Sequence, residues 1–321
     1  MFAATFLETL PAFRIASKGP SVDFTQLRYF HEVVRAGSIR AASDRLRVAP
    51  SALSRQIQQL EHQVAMPLFE RHTRGMRLTE AGEIYALHAK LVMMDAERAR
   101  SELAALKGLE RGGVKLVVVE GIVSNYLLEA IAAFRAVHPD ISFELLVTGT
   151  SDVVAAVRNG DADIGIAFNA QPDPQVDFLF QLDDEVCAIC QPGHGLTTLP
   201  QVSLREVFLY PVAMPITSFG IRALVEECCR VERLKVTPAL VTNSIDGLRA
   251  FARAGLGVAL ITGLSCKQEV AAGDLASVRL AEPQLRSASI EVMVLGGRRL
   301  PVAVSAFVGD LRRVAEARGV R

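Results

Sequence analysis

Ser51, Ser54, Arg55, Gln58 and His62 fall largely on one side of a helical repeat, and their types are those that read nucleic acid. Arginine suits guanine, glutamine suits adenine and a serine hydroxyl suits either, because each matches the donors and acceptors on a base edge. The other side carries Leu53, Ile57, Leu60 and Val64, recurring at four, three and four. That spacing predicts a helix with one buried stripe. Downstream, Arg71, Arg74 and Arg77 surround Gly75 with no acidic residue between them. Two short segments about a glycine turn predict a β-hairpin, on which three guanidinium groups would grip a phosphate backbone.

The elements that must hold these groups are legible upstream. Leu27, Phe30, Val33 and Val34 form one apolar stripe and predict a helix over 24–35, ended by Gly37. Ser38 is a fitting N-cap for a second helix over 39–46, which also presents Arg40. Ala41 and Ala42 are small enough for another helix to cross closely. Pro50 suits the first position of the third helix, where its missing N–H would be an orphan anyway. Two short helices, a tight turn and a polar second helix make a helix-turn-helix. Periodicity alone leaves a second reading open, a solvated face on an ordinary helical bundle. The arginine hairpin tips the balance toward a winged DNA reader.

Charge is distributed accordingly. Residues 23–79 contain nine Arg, no Lys and five acidic residues, a net charge of +4. Residues 112–321 carry a net charge of −4, and the whole chain is neutral. A basic front and an acidic back fit a DNA-binding module joined to a domain that stays off DNA.

Between them, 80–109 lacks proline and predicts one long helix. Ile84, Leu87, Leu91 and Met94 repeat at three, four and three like a coiled-coil seam, and Leu103 and Leu106 resume it after a break at Arg98. Self-pairing of two copies would bury that stripe and place two reading heads on a two-fold DNA site. Packing on the chain's own back domain is the alternative. After Gly113 strands and helices alternate: 114–119, 141–147 and 163–167 read as strands with helices between, a doubly wound parallel α/β pattern. The expected domains are a mobile tail over 1–22, a winged helix-turn-helix over 23–80, a linker helix over 81–112 and an α/β ligand domain over 113–321.

Other chemistries find no support in the residues. There is no G-x-S-x-G, no P-loop and no G-x-G-x-x-G, and the six histidines form no ligand spacing with Cys, Asp or Glu. The chain therefore reads as no enzyme, with no metal and no cofactor. Cys187 and Cys190 form a C-x-x-C pair in a strand-like run, where i and i+3 point to opposite faces. With Cys228, Cys229 and Cys266 they read as buried structural thiols. The odd cysteine count and the poor signal-peptide character of 1–22 point to the cytoplasm, and no uninterrupted apolar window is long enough for a membrane span.

The stretches AGSIRAASDRLRVAPSALSRQIQQLE (36–61) and MPLFERHTRGMRLTEAGE (66–83) resemble the signature of the LysR-type transcriptional regulators nearly position by position. The resemblance implies that Ser38, Ala41 and Ala42 position the second helix. It implies that Pro50, Ser51, Ser54 and Arg55 lie at the DNA, with Arg71 and Arg74 on the wing. The chain departs from the family at Pro50, where many relatives carry glutamine, and at Ala65-Met66, where glycine is usual. The back half is similar to the family's effector-binding domain, through VRNGDADIGIAF (157–168) and TNSIDGLRAFARAGLGVALI (242–261). It implies two α/β lobes, 113–168 with 299–321 and 169–298, crossing over near 168–169 and 298–299. The family resemblance also implies a homodimer, or a dimer of dimers.

Open α/β sheets bind ligands beyond the carboxyl ends of their strands, and helix N-termini there favour anions. The candidate effector residues are therefore Ser124, Asn125, Thr150, Ser151, Thr217, Ser218 and Ser244, with backbone at Phe168, Asn169 and Met214 flooring the cleft. Each hydroxyl also has a plain reading as a helix cap. The expected effector is a small anionic or polar metabolite, and Arg222 is expected in a salt bridge. Two non-catalytic rivals stand beside this regulator: a small-molecule binding protein whose front domain only dimerises, and an architectural DNA binder without an effector. Base reading and backbone grip separate by mutation. Arg55→Ala should cost about 1–3 kcal/mol at one base position and relax preference there. Arg74→Ala should weaken every sequence alike, as gel shifts on a panel of operator variants will report.

Overall fold

The structure, a computed structural model, describes residues 23–72, 75–106 and 112–317. The chain divides into two compact units, 1–96 and 97–321. In the first, capping sets the helix boundaries. Asp23 accepts from the Thr25 N–H at 2.8 Å and starts α1 (Phe24–Ala36). Gly37 ends it in the left-handed region at φ 66°, which glycine enters without a Cβ penalty. The Ser38 hydroxyl accepts from the Ala41 N–H at 3.2 Å and starts α2 (Ile39–Leu46). A turn leads to α3 (Pro50–Val64), with Pro50 in its first turn. β1 (Phe69–His72) and β2 (Gly75–Leu78) pair antiparallel as the wing. The Thr79 hydroxyl accepts from the Gly82 N–H at 3.0 Å at the start of α4 (Glu80–Leu106).

One core holds this unit together. Leu27, Phe30 and Val33 of α1 meet Leu53, Ile57 and Leu60 of α3, all buried. Each such side chain contributes roughly 1.5–3 kcal/mol by leaving water. The Phe30 ring lies 5.1 Å from that of Phe69 and 5.0 Å from that of Tyr85, so it ties wing and α4 to α1.

The second unit contains two sheets. The chain runs through β3 (Gly112–Val118), α5 (Leu128–Val137), β4 (Ile141–Val147), α6 (Thr150–Arg158), β5 (Ile164–Phe168) and β6 (Val176–Asp183). It then passes through β7 (Val186–Cys190), β8 (Gln201–Val202), α7 (Leu204–Val207), β9 (Val212–Pro215), α8 (Gly220–Val231), β10 (Leu240–Thr242) and α9 (Ile245–Arg253). The remainder is β11 (Val258–Thr262), α10 (Lys267–Ala272), β12 (Ala276–Leu280), α11 (Pro283–Arg286), β13 (Ser289–Leu295) and α12 (Val302–Ala317). The first sheet has the order β4-β3-β5-β13-β6 and the second β10-β9-β11-β7-β12-β8. In both, the βαβ strands pair parallel, while the strands that return from the other lobe pair antiparallel. The sheets are therefore mixed rather than wholly parallel.

The lobe boundaries differ from the expected ones. β6 and β13 belong to the first sheet, so the chain crosses at 184–185 and again between Leu280 and Ser289, not at 168–169 and 298–299. The reason lies in β13. It is buried along its length and needs a strand on each side, so β5 takes one edge and β6 the other.

Asp184 sits at the first crossing. Its Oδ1 accepts from the Leu264 N–H at 2.9 Å and its own N–H donates to the Ala288 carbonyl at 3.0 Å. Burial pushes its carboxyl up from the ordinary 3.8 to about 6. The folded state thus holds this proton more tightly than the unfolded chain does. The contribution of Asp184 to stability is greatest below the unfolded value and is lost as pH rises toward 6. Asp184→Asn should flatten the fall of stability between pH 4 and pH 6, measured by urea unfolding across pH 4 to 7.

Candidate functional sites

The polar side of α3 is open to solvent. Pro50, Ser51, Arg55 and Gln58 are exposed and Ser54 is half-buried, while Leu53, Ile57 and Leu60 face the core. Arg40 on α2 and Arg77 on β2 are also exposed. Ser38 has its hydroxyl oxygen engaged as the α2 cap, so it sets the helix in place rather than standing free. In the hairpin register Glu70 faces Arg77, and Arg71 faces Met76. A carboxylate therefore stands opposite one of the three wing arginines. Arg74 lies outside the described residues.

Two contacts fix the wing against the helices. The Met76 N–H donates to the Gly37 carbonyl at 2.8 Å. Gly75 permits this approach, since a Cβ there would overlap the Gly37 carbonyl. The Glu61 carboxylate on α3 accepts from the Leu68 and Phe69 N–H groups at 2.8 and 3.1 Å, so the helix that presents Arg55 also anchors the hairpin. On α4, Tyr85, Ala86, Ala89 and Met93 pack on the unit's own core. The predicted seam is a different stripe. Ile84 is 59 % exposed and Leu103 61 % exposed, with Leu87, Leu91 and Met94 half-buried. The side chain of Leu106 lies outside the described residues.

A small cavity of about 20 Å³ lies between the lobes of the second unit. Val119, Ile122, Phe168, Phe219, Ile221, Ile245 and Ile290 give it apolar walls, and Thr150, Thr262 and Ser265 supply hydroxyls. None of its described lining residues is Lys, Arg, Asp or Glu. The lobes are pinned across it at three points. Thr150 Oγ1 donates to the Phe168 carbonyl at 3.1 Å and accepts from the Gly220 N–H at 3.2 Å. Asn125 Nδ2 donates to the Leu264 carbonyl at 3.0 Å. The Glu120 carboxylate accepts from the N–H groups of Ile245 at 2.7 Å and Asp246 at 3.3 Å. Glycines allow the close approach: a Cβ on Gly220 would overlap the Phe168 carbonyl.

Of the candidate effector residues, the structure brings Thr150 and Phe168 to the cavity. Ser124 and Asn125 are not caps. A 3₁₀ turn over Glu120–Ile122 and a π turn over Val123–Leu127 start the helical backbone earlier, leaving Ser124 exposed and Asn125 buried. Gly149, rather than Thr150 or Ser151, is the N-cap of α6, which frees the Thr150 hydroxyl to bridge the lobes; Ser151 is exposed. Asn169 takes a left-handed turn, φ 50°, just past β5. Met214 is fully buried in β9. Thr217 is exposed, and Ser218 lies against Gly149. Ser244 is a plain cap, its hydroxyl accepting from the Gly247 N–H at 3.1 Å. Arg222 pairs with Glu226 at 2.5 Å, as expected.

The sequence reading missed Glu120, Gly121, Phe219, Thr262, Ser265 and Ile290. Glu120-Gly121 had a usable signal: it directly follows the apolar run of β3, at the carboxyl end of a strand, where open α/β sheets place ligands. The five cysteines are buried. Burial pushes the Cys187 and Cys190 thiols up to about 11 and that of Cys266 to about 12. Such thiols hold almost no thiolate at neutral pH and are poor nucleophiles. Thr150→Val should leave the Gly220 N–H and the Phe168 carbonyl without this partner. The expected loss is about 1–3 kcal/mol of unfolding free energy, read by urea denaturation.

Similarity to known proteins agrees with both halves of the geometry. Residues 24–83 match the family model described as "Bacterial regulatory helix-turn-helix protein, lysR family". Residues 107–316 match the one described as "LysR substrate binding domain". A "Probable RuBisCO transcriptional regulator" of Emiliania huxleyi is 26 % identical over 256 residues, covering 78 % of this chain and 82 % of that one. Among solved structures, a full-length OxyR point variant from Pseudomonas aeruginosa superposes with a TM-score of 0.65 at 19 % identity, covering 91 % of this chain and 98 % of that one. Full-length CbnR complexed with its target DNA gives 0.53 at 20 % identity, covering 91 % and 100 %.

Proposed function

The chain belongs to the LysR family of bacterial helix-turn-helix regulators, and on that premise we propose which of its surfaces read DNA, pair copies and sense an effector. It is a DNA-binding transcription regulator with an effector-binding domain, not an enzyme. No helix among the described residues is long and apolar enough to cross a membrane, and the site of action we infer is the cytoplasm.

DNA is read by the exposed side of α3. The observation that carries this is the division of one helix into a buried apolar face and an exposed face of Ser51, Arg55 and Gln58. A helix of this kind fits the major groove with its N-terminal residues toward the bases. Arg40 and the wing arginines Arg71, Arg74 and Arg77 supply backbone grip. Pro50 has no side-chain donor or acceptor, so it shapes the helix start rather than reading a base. The domains act as 23–80 for DNA, 81–112 for pairing and 113–321 for the effector.

Pairing uses the second stripe of α4. Ile84, Leu87, Leu91 and Met94 are separate from the residues that pack on the unit's own core; Leu103, also exposed, and Leu106 would continue the stripe. An exposed apolar row on a long helix is buried most simply against a second copy of itself. A homodimer, or a pair of dimers, would then present two reading heads to an operator of two-fold character.

The effector site we infer is the cavity between the lobes, with Thr150 and Phe168 in its lining. At about 20 Å³ it has room for roughly one water. A small-molecule metabolite must therefore enter a more open arrangement of the lobes. Binding acts by population shift: the effector stabilises one lobe arrangement over another in proportion to its preference for it. The oligomer passes that change on to the spacing of its reading heads.

Gel shifts on genomic fragments test this reading. The expected result is specific binding that weakens steeply between 50 and 200 mM salt, by about 10³–10⁵ for six to ten phosphate contacts. Absence of binding in low salt would leave a small-molecule binding protein. Ile84→Glu combined with Leu103→Glu changes two exposed positions. It should lower the sedimentation coefficient to that of a smaller species and reduce affinity for a two-half-site operator.

A further inference from the structure

We propose that Asp184 is a proton-operated latch at the joint between the lobes of the effector-binding unit: protonated, it favours the closed arrangement, and ionised, it favours the open one. The latch acts whatever the cleft binds.

Asp184 lies where the chain first passes from one sheet to the other, and its N–H donates to the Ala288 carbonyl, at the second passage, at 3.0 Å. Both crossing segments therefore meet at this residue, and a change of lobe angle has to turn the backbone there. Its side chain reaches the turn over Leu264–Cys266, which follows β11 in the second lobe; Oδ1 accepts from the Leu264 N–H at 2.9 Å. The Leu264 carbonyl accepts from Asn125 of the first lobe at 3.0 Å, and Gly121 of the first lobe lies against Ser265. One turn is thus held by Asp184 on one side and by the first lobe on the other. When the lobes part, that turn loses its cover, and water gains a path to the carboxyl.

The surroundings suit the neutral acid. Asp184 is 7 % exposed, and its Oδ2 has no hydrogen-bond partner. Ionised there, it is an anion out of water with one amide to hold it, which is costly. No described Lys or Arg pairs with it. Glu185 beside it raises its proton affinity further, while Arg279 of β12 pairs with Glu185 at 3.1 Å. The nearby thiols of Cys187 and Cys266, pushed up to about 11 and about 12, stay neutral. Across the turn, Arg249 donates to the Ser265 carbonyl and pairs with Glu269 at 2.7 Å, and Glu120 sits on the α9 amides.

Opening hydrates the Asp184 carboxylate, so closing takes up one proton from solvent. Below the ordinary carboxyl value of 3.8 both arrangements hold that proton, and between 3.8 and about 6 the closed one holds it more tightly. Closure weakens across that window by at most about tenfold per pH unit and is constant above it. Acidification therefore acts as an effector does, shifting the population toward closed lobes.

The test is hydrogen exchange at the Gly220 amide of the full-length protein from about pH 4 to 8, corrected for the intrinsic pH dependence of exchange. Gly220 is held across the lobes by the Thr150 hydroxyl, which does not titrate in this range. In wild type the opening constant should rise up to about pH 6 and then level off. Asp184→Asn keeps the shape and the acceptor for Leu264, and it should lack the rise. Both proteins share whatever Glu120 contributes, so the difference in slope belongs to Asp184. An acid that merely supported the fold would change global unfolding and leave this opening with the same pH dependence in both. Should Asp184→Asn fold poorly, Glu185→Gln removes the neighbouring negative charge and should move the upper end of the rise to lower pH. Equal slopes in wild type and Asp184→Asn, or a Glu185→Gln profile unmoved from wild type, overturn the proposal.

Discussion

A buried amide must have a partner, and in the effector-binding unit the partners come from across the cleft. The Gly220 N–H at the start of α8 finds the Thr150 hydroxyl, which in turn donates to the Phe168 carbonyl. The first amides of α9 find Glu120. The Leu264 carbonyl finds Asn125. Leaving the buried Gly220 N–H unpaired costs on the order of 1–3 kcal/mol, so opening the lobes exposes a set of groups that water or a ligand must then satisfy. The closed arrangement is thereby a defined state rather than a loose contact, and an effector acts against a definite set of bonds. The apolar walls add to this, since separating Phe219, Ile221 and Ile290 returns hydrocarbon to water.

The DNA-binding unit obeys the same rule on a smaller scale. Asp23, Ser38 and Thr79 start its helices, and Glu61 holds two amides of the strand that follows. Because Glu61 sits on α3 itself, recognition helix and wing share one anchor. The Gly37 carbonyl supplies the second, through Met76. Reading helix and backbone grip are thus set relative to each other by the Glu61 carboxylate and one backbone hydrogen bond, whatever side chains occupy the exposed face.

The front half was legible in the sequence because its signals are local. Caps, the Pro50 start, the stripes of α1 and α3 and the glycine of the hairpin each lie within a few residues of what they specify. The back half was legible as alternating strands and helices, but not in its crossings. β6 alternates weakly, with half-buried Leu179 and Phe180 beside exposed Phe178, and only its pairing with β13, more than a hundred residues away, makes it a strand of the first sheet. Candidate effector residues chosen as hydroxyls near helix starts fared unevenly for a related reason. Ser244 spends its hydroxyl on its own helix, whereas Thr150 is free because Gly149 takes the cap position. The role of Glu120 is not legible from the sequence, because a lone carboxylate after a strand looks like any surface acid until its partners on α9 are known.

All five cysteines lie within 187–266, inside the second lobe, and every one is shielded from solvent. An alkylating reagent can therefore reach sulfur only when that lobe loosens. The rate at which mass is added to the native protein becomes an intrinsic clock for breathing of that lobe, needing no engineered label.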